Sequence, residues 1–212
     1  MQKTLIQCDF DMTVTDRDVS LLILDEFAGN NWHMLWDNYN DGKISLGEFN
    51  ERAFGMVKAG RNEILDFIKN KFEVRRGFSQ FVEYCRGKNY RIVIVSNGLD
   101  FYIEEVLRDI GWEDIEYHAA ETVFLPGGLQ ARYINHDGMV LDSNFKLSYT
   151  KLFLSQGYRV AYVGDGNSDF IPAQKCQRIF ATELLLKHCR DNKVKCTPFT
   201  SFLDVTAELQ SW

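Results

Sequence analysis

Thr4-Leu5-Ile6-Gln7-Cys8-Asp9-Phe10-Asp11 decides how the rest of this chain is read: a short apolar, strand-like run that stops in two carboxylates. The pattern returns twice. Ile92-Val93-Ile94-Val95 runs into Ser96-Asn97-Gly98, and Val160-Ala161-Tyr162-Val163 runs into Gly164-Asp165-Gly166-Asn167-Ser168-Asp169. Such runs, alternating with helical stretches, predict an α/β fold with a parallel sheet. Open parallel sheets bind ligands at the carboxyl ends of their strands. The three clusters are therefore expected to form one acidic, metal-using enzyme site.

A length of 212 residues suits one core domain with a small accessory one. With 30 acidic against 24 basic residues, the chain lacks the basic footprint that nucleic acid or anionic lipid would require. Met1-Gln2-Lys3 leads straight into the first strand, and no apolar run approaches the roughly 20 residues of a membrane span. The expectation is a cytoplasmic protein with neither nucleic acid nor membrane as partner; a homodimer is compatible with it. Cys8, Cys85, Cys176, Cys189 and Cys196 are odd in number and scattered, which argues against a disulfide framework.

From about Asp16 to Arg75 the periodicity is helical, with segments Val19 to Phe27, Trp32 to Tyr39, Leu46 to Val57 and Ile64 to Phe72. Amphipathic and rich in aromatics, these helices suit a small four-helix cap resting on something else. Residues 1–15 and 77–212 then form the core and 16–76 the cap. In the core, helices are expected at Phe78 to Lys88, Phe101 to Ile110, Leu147 to Gln156, Asp169 to Lys175, Glu183 to Asn192 and from Ser201. Pro126-Gly127-Gly128 and Asn135-His136-Asp137-Gly138 break residues 116–141 into a short antiparallel meander.

Asp9 and Asp11 are two apart in an extended segment, so their side chains project to the same side. One carboxylate can attack as a nucleophile while a second, protonated one assists the leaving group. If the strand before Asp165 and Asp169 neighbours the first, too many carboxylates meet to stay ionised without a cation. Magnesium suits such oxygen ligands. Ser96 and the amides of Asn97 and Gly98 offer donors for phosphate at a strand-to-helix turn. The chemistry indicated is phosphoryl transfer. Against it stands the plain alternative that Asp-rich strand ends are turns and helix caps; three clusters in this order weaken that alternative.

The series Asp9-Phe10-Asp11-Met12-Thr13-Val14-Thr15, then Ser96, a lysine, and Gly164-Asp165-Gly166-Asn167-Ser168-Asp169 resembles the four motifs of the haloacid dehalogenase superfamily of phosphatases. The resemblance implies a Rossmann-like core, Asp9 as the nucleophile forming an aspartyl phosphate, and Asp11 as general acid that then activates water. It implies Mg2+ held by Asp9, the main-chain carbonyl of Asp11 and Asp165, with Asp169 at the same metal site. Thr13, Ser96, Asn97 and Gly98 are the implied phosphate-side contacts. For the motif lysine it favours Lys146, at the helix entrance, over Lys151.

The helical insertion after the first motif resembles the cap of the phosphoserine phosphatase group. Arg52-Ala53-Phe54-Gly55, Arg76-Gly77-Phe78, Ser96-Asn97-Gly98-Leu99-Asp100-Phe101 and Phe180-Ala181 resemble the branch containing the 2-hydroxy-3-keto-5-methylthiopentenyl-1-phosphate phosphatases. Met12 departs from the usual glycine and Asn97 from a common glycine. Asp18 and Arg52 are the cap residues implied to touch the leaving group. The substrate expected is a small phosphorylated metabolite, with phosphoserine or a phosphocholine or phosphoethanolamine as alternatives. A non-catalytic regulatory module on this fold is the reading from another class, and the intact acids argue against it.

Asp37 to Glu48 has the spacing of a calcium loop, but Tyr39 stands where a short oxygen ligand belongs. An interhelical turn at Asp41-Gly42 is expected instead. His33, His118, His136 and His188 lack spaced partners and are expected to be structural or at the surface.

Overall fold

The computed structural model describes residues 2–212. In chain order the elements are β1 (Thr4–Cys8), α1 (Val19–Phe27), α2 (Trp32–Asn40), α3 (Leu46–Phe54), α4 (Arg61–Ile68), α5 (Phe78–Gly87), β2 (Arg91–Leu99) and α6 (Asp100–Asp109). They continue with β3 (Glu116–Leu125), β4 (Gly128–Ile134), β5 (Val140–Leu141), α7 (Phe145–Ser155), β6 (Arg159–Gly164), α8 (Phe170–Ala173), β7 (Arg178–Ala181), α9 (Glu183–Asp191), β8 (Thr197–Pro198) and α10 (Phe202–Leu209).

One eight-stranded sheet runs β5-β4-β3-β2-β1-β6-β7-β8. β1 lies between β2 and β6 and is parallel to both, with Cys8 opposite Ile94 and Val163. Every residue of β1 is buried, as the unbroken apolar run requires of a strand covered on both faces. This register brings the polar clusters after β1, β2 and β6 side by side at one end of the sheet. The fold is the Rossmann-like α/β architecture expected.

β3 plays two parts. Its first half pairs in parallel with β2, and Glu121 to Leu125 pairs antiparallel with β4, which pairs antiparallel with β5. The meander between residues 116 and 141 is therefore present. β8 was not expected: two residues long and ending in Pro198, it sits at the sheet edge, where a missing amide is tolerated.

Several details differ from expectation, among them α3, which ends at Phe54 rather than Val57, and α7, which begins at Phe145 rather than Leu147. Ser96-Asn97-Gly98 belongs to β2 rather than to a strand-to-helix turn, and the ladder with β3 shifts between Val95 and Leu99. α4 starts at Arg61 and stops at Ile68, because Asn70, at φ 66°, cannot continue a right-handed helix. The stretch expected as one helix from Asp169 divides into a 3-10 turn, Asn167–Asp169, and α8.

The chain leaves the sheet and returns to it through a narrow neck. Thr15 and Val74 form an antiparallel bridge, the Asp16 amide donates to the Glu73 carbonyl at 2.9 Å, and the Arg75 amide to Val14 at 2.7 Å. Between these stems lie α1 to α4. Asp18 caps α1 by accepting from the Leu21 amide, and Ser45 caps α3 by accepting from Glu48. The apolar faces of the four helices join the same core as β1, through residues such as Ile23, Leu35, Phe54 and Ile64.

α3 rests on β4, and the approach is close. A side chain on Gly128, at φ 145°, would overlap the Gly55 carbonyl. The turn expected at Asp41-Gly42 joins α2 to α3, with Gly42 at φ 70° and its amide bonded to Tyr39. All five cysteines are free thiols. No helix among the described residues is long and apolar enough to cross a membrane.

Candidate active site

Asp9 follows β1 directly, its amide bonded to the Val163 carbonyl at 2.9 Å. Phe10 turns into the core while its carbonyl accepts from the amides of Thr13, Val14 and Thr15, so the chain curls tightly under Asp9 and Asp11. Met12 adopts φ 58°, a region that costs a side chain energy. Arg75 compensates by bridging carbonyls, donating to Met12 through Nη2 at 2.5 Å, to Thr13 through Nε at 2.8 Å and to Thr200 at 3.1 Å.

Lys146 enters from the first turn of α7. Its ammonium lies 2.8 Å from Asp9 Oδ1 and 2.7 Å from Asp169 Oδ1, and the side chain is buried. Gln7 of β1 holds it there from behind: Nε2 donates to the Lys146 carbonyl at 3.1 Å, and Oε1 accepts from Thr150 at 2.7 Å. Lys151 is exposed and lines a separate surface hollow with His136 and Ser148.

Asp169 is saturated. Oδ1 accepts from Lys146 and from the Tyr162 hydroxyl, both at 2.7 Å, and Oδ2 accepts from the amides of Asp165 and Gly166 at 3.1 and 2.8 Å. Burial opposes its ionisation, but Lys146 and these donors outweigh burial and hold the carboxyl below its usual range. Asp9 and Asp165 behave oppositely. Burial, then the charge of Asp169, pushes Asp9 up despite Lys146, and the same causes push Asp165 up to about 7. For Lys146, burial works against the charge, yet Asp169 and Asp9 raise it above the ordinary lysine value.

One lysine thus faces more carboxylate than it neutralises. Asp9, Asp165 and Asp169 each bring an oxygen within 4.8 Å of the others. Asp169 has no lone pair to spare. Asp165 Oδ1 accepts from the Thr13 hydroxyl at 2.9 Å, and among the described residues no donor bonds the Asp11 carbonyl. A hard divalent cation fits this donor set, with Asp9, Asp165 and the Asp11 carbonyl open to it and Asp169 holding Lys146 and the Asp165-Gly166 backbone in place.

Asp11 is bound at both oxygens. Oδ1 accepts from the Val19 amide at 2.9 Å, and Oδ2 accepts from the Tyr102 hydroxyl, which also lies 2.9 Å from Ser20 Oγ. Burial, then the charge of Asp18, raises the Asp11 carboxyl well above the usual range, as suits a carboxyl kept protonated.

A cavity of ≈ 440 Å³ opens over these groups. Its floor includes Asp9, Asp11, Ser96, Asn97, Gly98, Lys146 and Asp165; Leu21, Trp36, Tyr39, Leu46 and Phe49 form an apolar roof, with Asn40, Asn50 and Asp18 as its polar points. Asp18 and the Ser96 to Gly98 segment reach the cavity as expected. Two expected contacts do not. Thr13 is fully buried and uses its hydroxyl on Asp165, while Arg52 faces solvent and pairs with Glu48 at 2.9 Å. Helix geometry explains Arg52: Phe49, Asn50 and Ala53 take the inward face of α3, leaving position 52 outside.

Sequence reading missed Gln7, Tyr102, Tyr162, Arg75 and the aromatic roof. Gln7 could have been found, since an amide inside an unbroken apolar strand needs a buried partner. His188, expected to be structural or at the surface, lies at the surface, where it bonds Asn167 at 2.6 Å beside the cavity.

The model of the haloacid dehalogenase-like hydrolases matches residues 6–171. The chain belongs to that family. Among curated proteins, the 2-hydroxy-3-keto-5-methylthiopentenyl-1-phosphate phosphatase of Geobacillus thermodenitrificans (strain NG80-2) is 30% identical, covering 99% of this chain and 97% of the relative. The protein of the same name from Bacillus cereus (strain B4264) is 27% identical over 96% and 94% of the two chains. A solved phosphoserine phosphatase holding a phospho-aspartyl intermediate analogue superposes with a TM-score of 0.72 at 18% identity, covering 98% of this chain and 99% of that one. A substrate-bound phosphoserine phosphatase gives 0.73 at 17%, with the same coverage. These two share the fold of this hydrolase.

Proposed function

We propose that this haloacid dehalogenase-like hydrolase is a magnesium-dependent phosphomonoesterase, and that its substrate is a small phosphorylated metabolite of the 2-hydroxy-3-keto-5-methylthiopentenyl 1-phosphate type. The observation that carries the reading is the juxtaposition of Asp9, whose Oδ1 lies 2.8 Å from the Lys146 ammonium, with Asp11, whose two oxygens are fixed by the Tyr102 hydroxyl and the Val19 amide. Asp9 attacks phosphorus, the ester oxygen leaves with the Asp11 proton, and an aspartyl phosphate remains on Asp9. Asp11, now ionised, takes a proton from water, whose oxygen attacks that phosphorus and frees phosphate and Asp9. The cation, when bound, neutralises phosphate charge during transfer. Lys146 adds positive charge from the protein, and the Ser96 hydroxyl, which accepts from the Gly98 amide at 3.0 Å, donates its own proton to a phosphate oxygen.

The roof supports the substrate class. It presents aromatic and aliphatic surface with two amides and brings no cation to the cavity, so a leaving group without a carboxylate suits it. The names of the relatives support the same reading. Asp18 favours a second one, in which the leaving group carries an amine. A kinetic panel with Mg2+ decides: the methylthio-ketopentenyl phosphate, O-phosphoserine and phosphoethanolamine are compared on one preparation, and preference for either amine by kcat/KM would overturn the first assignment. Asp9→Asn should abolish turnover on all three, and retained steady-state activity would remove Asp9 from the mechanism.

A further inference from the structure

Tyr102 stands behind the cavity rather than in it, on the first turn of α6, fully buried and tilted against Phe10 at 6.1 Å. Its hydroxyl bonds two groups, Asp11 Oδ2 and Ser20 Oγ. Ser20 belongs to α1, beyond the neck, so three separate parts of the chain meet on one phenol. Gly98 clears the way for the contact. A Cβ on Gly98 would overlap the Tyr102 hydroxyl and stand 2.6 Å from Asp11 Oδ2. Glycine is therefore needed at position 98 on steric grounds, apart from any phosphate contact. The first turn of α1 closes the arrangement, since the Val19 amide takes the other Asp11 oxygen.

We infer that Tyr102, braced by Ser20, is a positioning residue for the Asp11 carboxyl, fixing its plane so that its proton is aimed at the ester oxygen. The inference rests on the reading of Asp11 as the acid. A carboxyl bound once at each oxygen loses its rotation, yet each oxygen keeps a second lone pair to carry the proton that is delivered. Without the phenol, Oδ2 is unrestrained, and misalignment costs rate only where proton delivery matters.

The test compares kcat/KM for phenyl phosphate and p-nitrophenyl phosphate, since this parameter reports formation of the phosphoenzyme and only the poorer leaving group needs the proton. Tyr102→Phe deletes one oxygen and should lower the phenyl to nitrophenyl ratio by about tenfold. Ser20→Ala should lower it in the same direction by less. Asp11→Asn should lower it furthest, and Tyr102→Phe added to Asp11→Asn should change it no more. An unchanged ratio in a folded Tyr102→Phe protein overturns the inference while leaving Asp11 as the acid. A further fall in the double variant overturns it too. Should Tyr102→Phe melt below assay temperature, Ser20→Ala decides, and an unchanged ratio there counts against the inference. An unchanged ratio in Asp11→Asn, or a wild type inactive on both esters, overturns the acid reading and the inference together.

Discussion

Lys146 Nζ lies 2.8 Å from Asp9 Oδ1, with both side chains almost wholly out of solvent. A buried pair owes most of its importance to what its loss leaves behind. Lys146→Met would strand Asp9 and Asp169 as close, unpaired carboxylates, and breaking a buried pair typically costs about 3–5 kcal/mol. Lys146→Met should therefore melt well below wild type and lose most activity. Lys151→Met should change neither, because Lys151 lies on the outer face of α7. Thermal melts of both variants check this, and a wild-type melt for Lys146→Met would contradict the account.

The carboxylate excess predicts a specific response to metal. A cation that binds only the folded chain stabilises it by about 2.7 kcal/mol at a hundredfold excess over Kd. Melts with chelator and with added Mg2+ should differ in wild type and converge in Asp165→Asn. Thr13→Val should give an intermediate shift, because the Thr13 hydroxyl orients Asp165 from 2.9 Å away. Equal metal shifts in wild type and Asp165→Asn would remove Asp165 from the cation site.

How much of this was legible beforehand follows from the kind of signal each residue leaves. Asp9, Asp11, Asp165 and Asp169 are local signals, polar clusters ending apolar runs, and position in a parallel sheet does the rest. Lys146 and Lys151 could not be separated by spacing alone; what separates them is the inward face of α7 and the buried Gln7 that fixes its first turn. Arg52 misled because a charge near a motif says nothing about which helix face it occupies. Tyr102 was out of reach, since its contact with Asp11 depends on how α6 leaves β2 past Gly98.

Acid stability should carry a mark from the last helix. Asp204 Oδ2 accepts from the amides of Thr200 and Ser201 at 3.0 and 2.9 Å, and these hydrogen bonds hold its carboxyl down at about 2. A carboxyl lowered on folding stabilises the protein above its unfolded value, near 3.9, and that contribution is lost as pH falls through about 2. Asp204→Ala should cost about 1 kcal/mol at neutral pH, as for other helix-start caps. The gap between the two melting curves should narrow from pH 4 towards pH 2, and a gap independent of pH would mean that Asp204 contributes through packing instead.

Specificity should reside in the apolar roof rather than in the arginine next to it. Arg52 is half exposed, and its ion pair with Glu48 is an i,i+4 contact on the outer face of α3, a class worth only about 0.3–0.5 kcal/mol. Arg52→Ala should thus leave kcat/KM within about twofold on every substrate. Phe49 is different: its ring is buried, stacks with Tyr39 at 5.8 Å and meets Trp36 edge-on at 5.3 Å, so that all three present one aromatic surface to the cavity. Trp36→Ala opens that surface at the cavity side. It should weaken a substrate with an apolar arm by about 1–3 kcal/mol, seen chiefly in KM, since the arm is gripped alike before and during transfer. Inorganic phosphate, which carries no arm, should inhibit wild type and Trp36→Ala with the same constant. An Arg52→Ala variant that lost the physiological substrate while Trp36→Ala kept it would reverse the assignment and require α3 to turn its outer face inward when substrate binds.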